Sequence, residues 1–229
     1  MRQGISAVAF DLDGTLYPNY RLNIRLLPFL CKHGPLIAAF ARARGIIRRR
    51  QEQSPSAVAP DFYDYQARLT ADLLHAPPEQ VKETIERLIY RGWERHFYKI
   101  KLFPHVREVL AELRTAGLKL GLLSDFPPQT KLNNLGLSAC WDAVLCSEHA
   151  GAIKPALRPF AELADALRCP PEQVLYVGNS RPYDMAGARR AGMKTALFTG
   201  CFSRNRLFTG ATGADFTFQS YRQLRNFVL

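Results

Sequence analysis

Cysteine is scarce in this chain, and what there is suits no obvious chemistry. Five cysteines (Cys31, Cys140, Cys146, Cys169, Cys201) lie far apart in 229 residues, odd in number and with no Cys-x-x-Cys pair. Neither a zinc site nor a disulfide framework is indicated, and reduced thiols in a cytoplasmic protein are expected. Long apolar runs are also missing. The longest near-apolar stretch beyond the N-terminus, residues 35–41, is far too short to span a bilayer. The opening Met1-Arg2-Gln3-Gly4 carries one positive charge, and the apolar run behind it stops at Asp11, so no secretory leader is read there. Internal repeats, low-complexity tracts and nucleic-acid-binding motifs are absent from the sequence, and no nucleic-acid partner is expected.

What the chain has in excess is positive charge. Its net charge of +11 predicts anionic partners, without choosing among a phosphorylated metabolite, a nucleic acid and an acidic membrane surface. Hydrophobic residues at 47% and charged residues at 22% suit a globular fold, and the length suits one large domain or one carrying an inserted smaller one.

Residues 5–10 read as a short buried strand that delivers Asp11-Leu12-Asp13-Gly14-Thr15 into a loop. The next comparable strand is at 118–123. Between them, residues 23–32, 36–51, 61–74 and 78–97 carry apolar side chains at helical spacing, punctuated by Gly34-Pro35, Ser54-Pro55 and Pro77-Pro78. A helix over 105–116 closes at Gly117. Strands at 142–146, 174–177, 194–198 and 216–218 then alternate with helices at 128–135, 159–167 and 183–191, with a last helix from 221. This pattern predicts an α/β fold with a doubly wound parallel sheet. Residues 1–16 and 103–229 would form the core, and 17–102 an inserted α-helical cap at the carboxyl edge of the sheet, hinged near Tyr17-Pro18 and Leu102-Phe103-Pro104.

Asp11 and Asp13, two apart at a strand end, can approach one metal ion or divide into nucleophile and acid/base. Mg²⁺ favours such oxygen ligands, and a carboxylate attacking phosphorus needs a cation to offset anionic repulsion. Gly14 lets the backbone pass close to a ligand, and Thr15 can donate to a phosphate oxygen. Further signals follow in order. The Ser124 hydroxyl, after Leu122-Leu123, can bond a phosphate oxygen. Lys154, after Gly151, can neutralise developing phosphoryl charge. Asp184, beyond Val177-Gly178-Asn179, can complete a metal shell. A serine after a strand is more often a turn residue than a ligand, a lone Lys-Pro is usually a solvated loop, and a loop aspartate is usually a helix cap. Their joint order carries the signal.

These stretches resemble the haloacid dehalogenase superfamily, in particular its members with a helical cap after the first motif. Phe10-Asp11-Leu12-Asp13-Gly14-Thr15-Leu16 is similar to its first motif and Leu123-Ser124-Asp125 to its second. Gly151-Ala152-Ile153-Lys154-Pro155 is similar to the third, and residues 177–184 to the fourth. Residues 188–193 and 214–216 match as well, whereas the cap shares little beyond being helical and correctly placed. The resemblance implies a phosphohydrolase acting on a small phosphorylated substrate. Asp11 would be the nucleophile, forming an aspartyl-phosphate, and Asp13 the acid and then the base. Ser124 and Lys154 would hold the phosphoryl oxygens, with Gly14, Thr15 and Asp125 as further candidate substrate-binding residues. Mg²⁺ would be held by Asp11, the backbone carbonyl of Asp13 and Asp184. The fourth motif commonly opens Gly-Asp, but this chain has Gly178-Asn179. Asn179 can still offer a carbonyl oxygen, with one negative charge fewer in the shell. A phosphomutase using the same residues is an alternative, as is a non-catalytic binding protein of this fold. A dehalogenase is disfavoured by Asp13, and a phosphoryl-transferring ATPase by length and the lack of membrane spans.

Arg42, Arg44, Arg48, Arg49 and Arg50 crowd into nine residues, and residues 19–101 hold fifteen Lys/Arg against eight Asp/Glu. The expected reading is a solvated cap face that concentrates anionic substrate. A basic amphipathic helix touching an anionic membrane surface is the alternative, ahead of nucleic acid.

Overall fold

A computed structural model describes residues 4–54, 59–93, 97, 100–200 and 213–229. Its centre is a six-stranded, all-parallel sheet in the order β3-β2-β1-β4-β5-β6. In chain order the strands are β1 (Ala7–Phe10), β2 (Lys119–Ser124), β3 (Ala143–Cys146), β4 (Val174–Gly178), β5 (Lys194–Phe198) and β6 (Phe216–Phe218). The chain winds outward from β1 in both directions, so β1 lies at the point where strand order reverses. In open α/β sheets that point is where a crevice forms beyond the carboxyl ends.

The alternation within β1 sets the two faces. Val8 and Phe10 pack with Leu120, Leu122 and Val177 against α5 (Val106–Thr115) and α9 (Tyr221–Val228). Ala7 and Ala9 face the other way, onto Phe160, Leu163 and Leu167 of α7 (Leu157–Leu167). All four β1 residues are buried, as a central strand covered on both faces requires. The remaining core helices, α6 (Gln129–Leu135) and α8 (Ala186–Arg190), follow β2 and β4.

Between β1 and α5 lie α1 (Asn19–Lys32), α2 (Gly34–Gln53), α3 (Phe62–Leu74) and α4 (Pro78–Ile85). Phe40, Ala67, Ala71, Val81, Ile85 and Ile89 give α2–α4 an apolar centre of their own. A second contact joins them to the sheet side, where Ile47 and Phe62 pack on Ile153, the neighbour of Lys154.

The helix expected over 78–97 departs from its sequence reading. After Ile85 it widens into a π-turn at Glu86–Tyr90, followed by a turn through Trp93. At Gly92 a Cβ would stand 2.2 Å from the Leu88 carbonyl oxygen, so only glycine fits this tightening. Residues 94–96 lie outside the described residues, and Arg91 just before them is exposed and pairs with Glu86 at 2.9 Å. The helix expected over 183–191 starts earlier, as a π-turn at Arg181–Met185 that leads into α8. Cys31, Cys140, Cys146 and Cys169 are free thiols, and Cys201 lies outside the described residues. No single helix among the described residues is long and apolar enough to cross a membrane.

Candidate active site

The carboxyl ends of β1, β2 and β4 bring Asp11, Ser124 and the loop to Asp184 together, as their order in the sequence leads one to expect. Asp11 is buried directly after β1. Its Oδ2 accepts a hydrogen bond from Thr15 Oγ1 at 2.6 Å, and its Oδ1 one from Lys154 Nζ at 2.6 Å. The same ammonium donates to Asp184 Oδ1 at 2.7 Å. The other oxygen of Asp184 accepts the backbone N–H groups of Asn179 (3.1 Å) and Ser180 (2.9 Å), which fix the carboxylate before it reaches Lys154. From the far end of the chain, Tyr221 donates to the Thr15 carbonyl at 2.7 Å and so braces this loop.

Gly14 has φ +88°, and a Cβ there would lie 2.1 Å from Asn179 Nδ2 and 2.8 Å from Asn19 Nδ2. Glycine thus admits two asparagines to the turn, one of which donates from Nδ2 to the Asp13 backbone carbonyl at 3.3 Å.

Burial pushes the Asp11 carboxyl up to about 7, because Lys154 only partly offsets the lost solvation while Asp184 and Asp13 add to it. Burial opposes the Lys154 ammonium, yet Asp11 and Asp184 outweigh it and hold that group well above the lysine range. Among the described residues no group of three His, Cys, Asp or Glu side chains closes on a metal position. The donors present still suit a hard dication. One ammonium faces the two buried carboxylates of Asp11 and Asp184, which leaves a negative charge unbalanced, and the Asp13 carbonyl lies alongside within reach of Asn179. An all-oxygen set of this kind matches Mg²⁺. Ser124 contributes differently: its hydroxyl is buried and has no hydrogen-bond partner among the described residues. A buried hydroxyl left unsatisfied is costly, and a phosphoryl oxygen would satisfy it.

Asp13 turns away from this pair. Both its carboxylate oxygens accept from Lys131 Nζ, at 2.7 and 2.6 Å, and Tyr17 donates its hydroxyl to Oδ1. Lys131 was not legible in the sequence, since it follows Phe126-Pro127-Pro128 on a short helix with no motif around it. Asp125, a candidate substrate contact, has its carboxylate on protein donors instead. It accepts from the Lys154 backbone N–H at 3.0 Å and from Arg48 at 2.9 Å, with Arg44 at 3.6 Å. Burial would raise its pKa, but Lys154, Arg44 and Arg48 prevail and lower it.

The arginine cluster does not form the single solvated or membrane-facing surface expected of it. Arg44 is buried, pairs with Glu148, receives support from Gln66 at 2.8 Å and stacks 4.3 Å over Phe126. Arg48 donates to the Lys154 carbonyl at 2.9 Å and lies 4.2 Å over the ring of Tyr183. Only Arg42, Arg49 and Arg50 are exposed. The helical period explains the split: residues 44 and 48 share one face of α2, and that face meets the core.

A sheet reversing at β1, with carboxylates, a lysine and a serine that has no hydrogen-bond partner among the described residues at its carboxyl edge, defines a hydrolase-type α/β site. The haloacid dehalogenase-like hydrolase family matches residues 5–192, and the chain belongs to that family. It is 30% identical over 200 residues to a glyceraldehyde 3-phosphate phosphatase of Methanopyrus kandleri, covering 83% of this chain and 82% of the relative. A ribulose-1,5-bisphosphate 5-phosphatase of Halopiger xanaduensis is 27% identical, with 84% of each chain covered. Among solved structures, an L-2-haloacid dehalogenase superposes with a TM-score of 0.68 at 25% identity, over 99% of both chains.

Proposed function

We propose that this hydrolase is a Mg²⁺-dependent phosphatase that cleaves a small phosphorylated metabolite through an aspartyl-phosphate on Asp11. The observation that carries the reading is Asp11 itself, a buried carboxylate held on one oxygen by Thr15 and on the other by Lys154, beside the unsatisfied hydroxyl of Ser124. Phosphatases among the similar proteins point the same way.

In this scheme an Asp11 oxygen attacks phosphorus and the ester bond breaks, while Asp13, rotated from Lys131 and Tyr17 toward the ester and entering the step protonated, gives that proton to the departing oxygen. Asp13 then takes a proton from water as that water attacks the aspartyl-phosphate, which returns Asp11 and releases phosphate. Ser124 and the Lys154 ammonium hold the equatorial oxygens. Asp11, Asp184 and the Asp13 carbonyl would hold the metal, with Asn179 beside them. Mg²⁺, when bound, supplies the positive charge that lets two anions approach. Residues 17–102 act as a helical cap over this edge, and the cytoplasm is the expected compartment.

The structural likeness to a dehalogenase favours a second reading, halide displacement by Asp11. Asp13 argues against it, because displacement of halide from carbon needs no proton donor for the leaving group. Hydrolysis of p-nitrophenyl phosphate with and without Mg²⁺, set beside halide release from a 2-haloacid, decides between them. Metal-dependent phosphate release is expected, and halide release without it would overturn the proposal. A panel of phosphorylated metabolites then names the substrate.

A further inference from the structure

We infer that Lys131 is a specificity residue that receives an anionic group, a carboxylate, on the leaving-group side of the substrate. The inference rests on the phosphatase reading and deepens it.

Lys131 sits where the inserted helices meet the core. Its ammonium is 2.6 Å from Asp13, the residue beside which a departing ester oxygen must emerge. Its side chain is 11% exposed. The ammonium lies 5.0 Å from the centre of the Phe97 ring and 5.6 Å from that of Phe126, so aromatic faces hold it in place. These three residues, with Tyr90, Trp93 and Thr130, line a cavity of about 440 Å³ between the two parts of the molecule. That volume leaves ample room for a leaving group of a few carbons.

The polar groups of this cavity are rich in donors. Arg91 and Glu86 also line it but satisfy one another at 2.9 Å, and the Tyr90 hydroxyl donates to Glu148 at 3.0 Å. The Trp93 indole N–H is buried with no partner among the described residues. Lys131 has three N–H donors, of which Asp13 takes two. A guest that complements these walls brings acceptors and negative charge. A carboxylate one or two carbons from the ester oxygen would meet Lys131 while the phosphoryl group stands at Asp11. Among largely apolar walls such a charged hydrogen bond is worth more than in water.

A matched pair of esters tests this: 3-phosphoglycerate, which carries the carboxylate, and glycerol 3-phosphate, which carries a hydroxymethyl group there. Binding is measured by calorimetry in the Asp11→Asn protein, alone and combined with Lys131→Met or Lys131→Arg. The Asp11→Asn protein should bind 3-phosphoglycerate about 10- to 100-fold more tightly than glycerol 3-phosphate. Lys131→Met should collapse that ratio, and Lys131→Arg should restore most of it. Equal affinity for the two esters in the parent, or a ratio that survives Lys131→Met, overturns the inference. Turnover by the unmodified protein separates it from the underlying reading. Charge-selective binding without hydrolysis of any phosphate ester would sink the phosphatase and keep the anion site. Hydrolysis without selectivity would do the reverse.

Discussion

Two charged regions lie side by side in this molecule and are built on different balances. At the sheet edge three carboxylates, Asp11, Asp13 and Asp184, meet two cations, Lys154 and Lys131. Between the inserted helices and the core, two arginines, Arg44 and Arg48, meet two carboxylates, Asp125 and Glu148. With its carboxylates ionised the first region is short of one positive charge, and it holds a hydroxyl with no hydrogen-bond partner among the described residues, so it is incomplete without a cation and an anionic ligand. The second is neutral when both its carboxylates are ionised, and apart from Arg44 Nη2, which meets Asp125 only at 3.6 Å, its charged atoms find partners among its own groups, so it fastens one part of the molecule to the other. Asp125 joins them, because it anchors both the arginines and the backbone of Lys154. Charge imbalance therefore separates the region built for chemistry from the one built for attachment, although both are buried and both are rich in ion pairs.

The comparison is broken most severely at Asp11. Asp11→Asn should abolish turnover by many orders of magnitude while the fold survives, because the lost group is the proposed nucleophile. Steady-state hydrolysis and circular dichroism measure the two halves of that statement. Retention of a tenth of the activity would move the nucleophile elsewhere. Asp13→Asn should cost roughly 10²–10⁴-fold, the worth of general acid–base help, and a beryllium fluoride adduct should still form on Asp11. A near-normal rate would remove Asp13 from the reaction.

The balanced region should respond in stability. Removing one partner of a buried ion pair costs about 3–5 kcal/mol, and Arg44→Met does this to Glu148. The cost should depend on pH. Burial pushes Glu148 up to about 7 from its ordinary 4.5, against the pull of Arg44 and with a push from Asp125. A carboxyl raised in this way binds its proton more tightly in the folded state. Its contribution therefore favours the fold in acid and is lost as pH rises from about 4.5 through about 7. Arg44→Met should then be mildest near pH 5 and most destabilising near pH 8, when the stranded carboxylate is ionised. Glu148→Gln should flatten part of the unmodified protein's decline over that range, and Asp11, raised in the same direction, should account for a further part. Urea denaturation at several pH values measures these slopes. An Arg44→Met penalty independent of pH would mean that Glu148 is ionised throughout.

The sheet and its edge are largely legible in the sequence, and the attachment region is not. Strand β5 falls on residues 194–198 as expected, and β1, β2 and β4 end where Asp11, Ser124 and the Asp184 loop demanded. A buried parallel strand writes itself as a short apolar run, and catalysis at strand ends ties chemistry to that run. Arg44 and Lys131 had no such mark. Each owes its role to a partner about a hundred residues away, Glu148 for one and Asp13 for the other. Composition even misled, since five crowded arginines read as one surface until the helical period divided them. The π-turn at residues 86–90 was hidden for a related reason: apolar spacing marks a helix without distinguishing a widened turn within it.

The smallest effect concerns Asn179, where the sheet edge could be brought closer to balance or further from it. Asn179 donates from Nδ2 to the Asp13 carbonyl at 3.3 Å, an oxygen expected on the metal. Asn179→Asp removes that donor and sets another carboxylate beside Asp184, deepening the deficit of positive charge. Without metal the variant should be less stable than the parent, since the added half-buried anion stands against Asp184 and the Asp13 carbonyl. With Mg²⁺ the sign should reverse, because a hard dication gains from each added anionic oxygen, and the half-saturating concentration should fall a few-fold. Thermal melts with and without Mg²⁺, together with activity titrated against the metal, give both signs in one protein. Lower stability without metal but no gain in affinity would place Asn179 outside the metal's reach, as a brace for the Asp13 turn alone. An unchanged melting temperature in both conditions would mean that the site carries no deficit of positive charge, and the contrast between the two regions would fail.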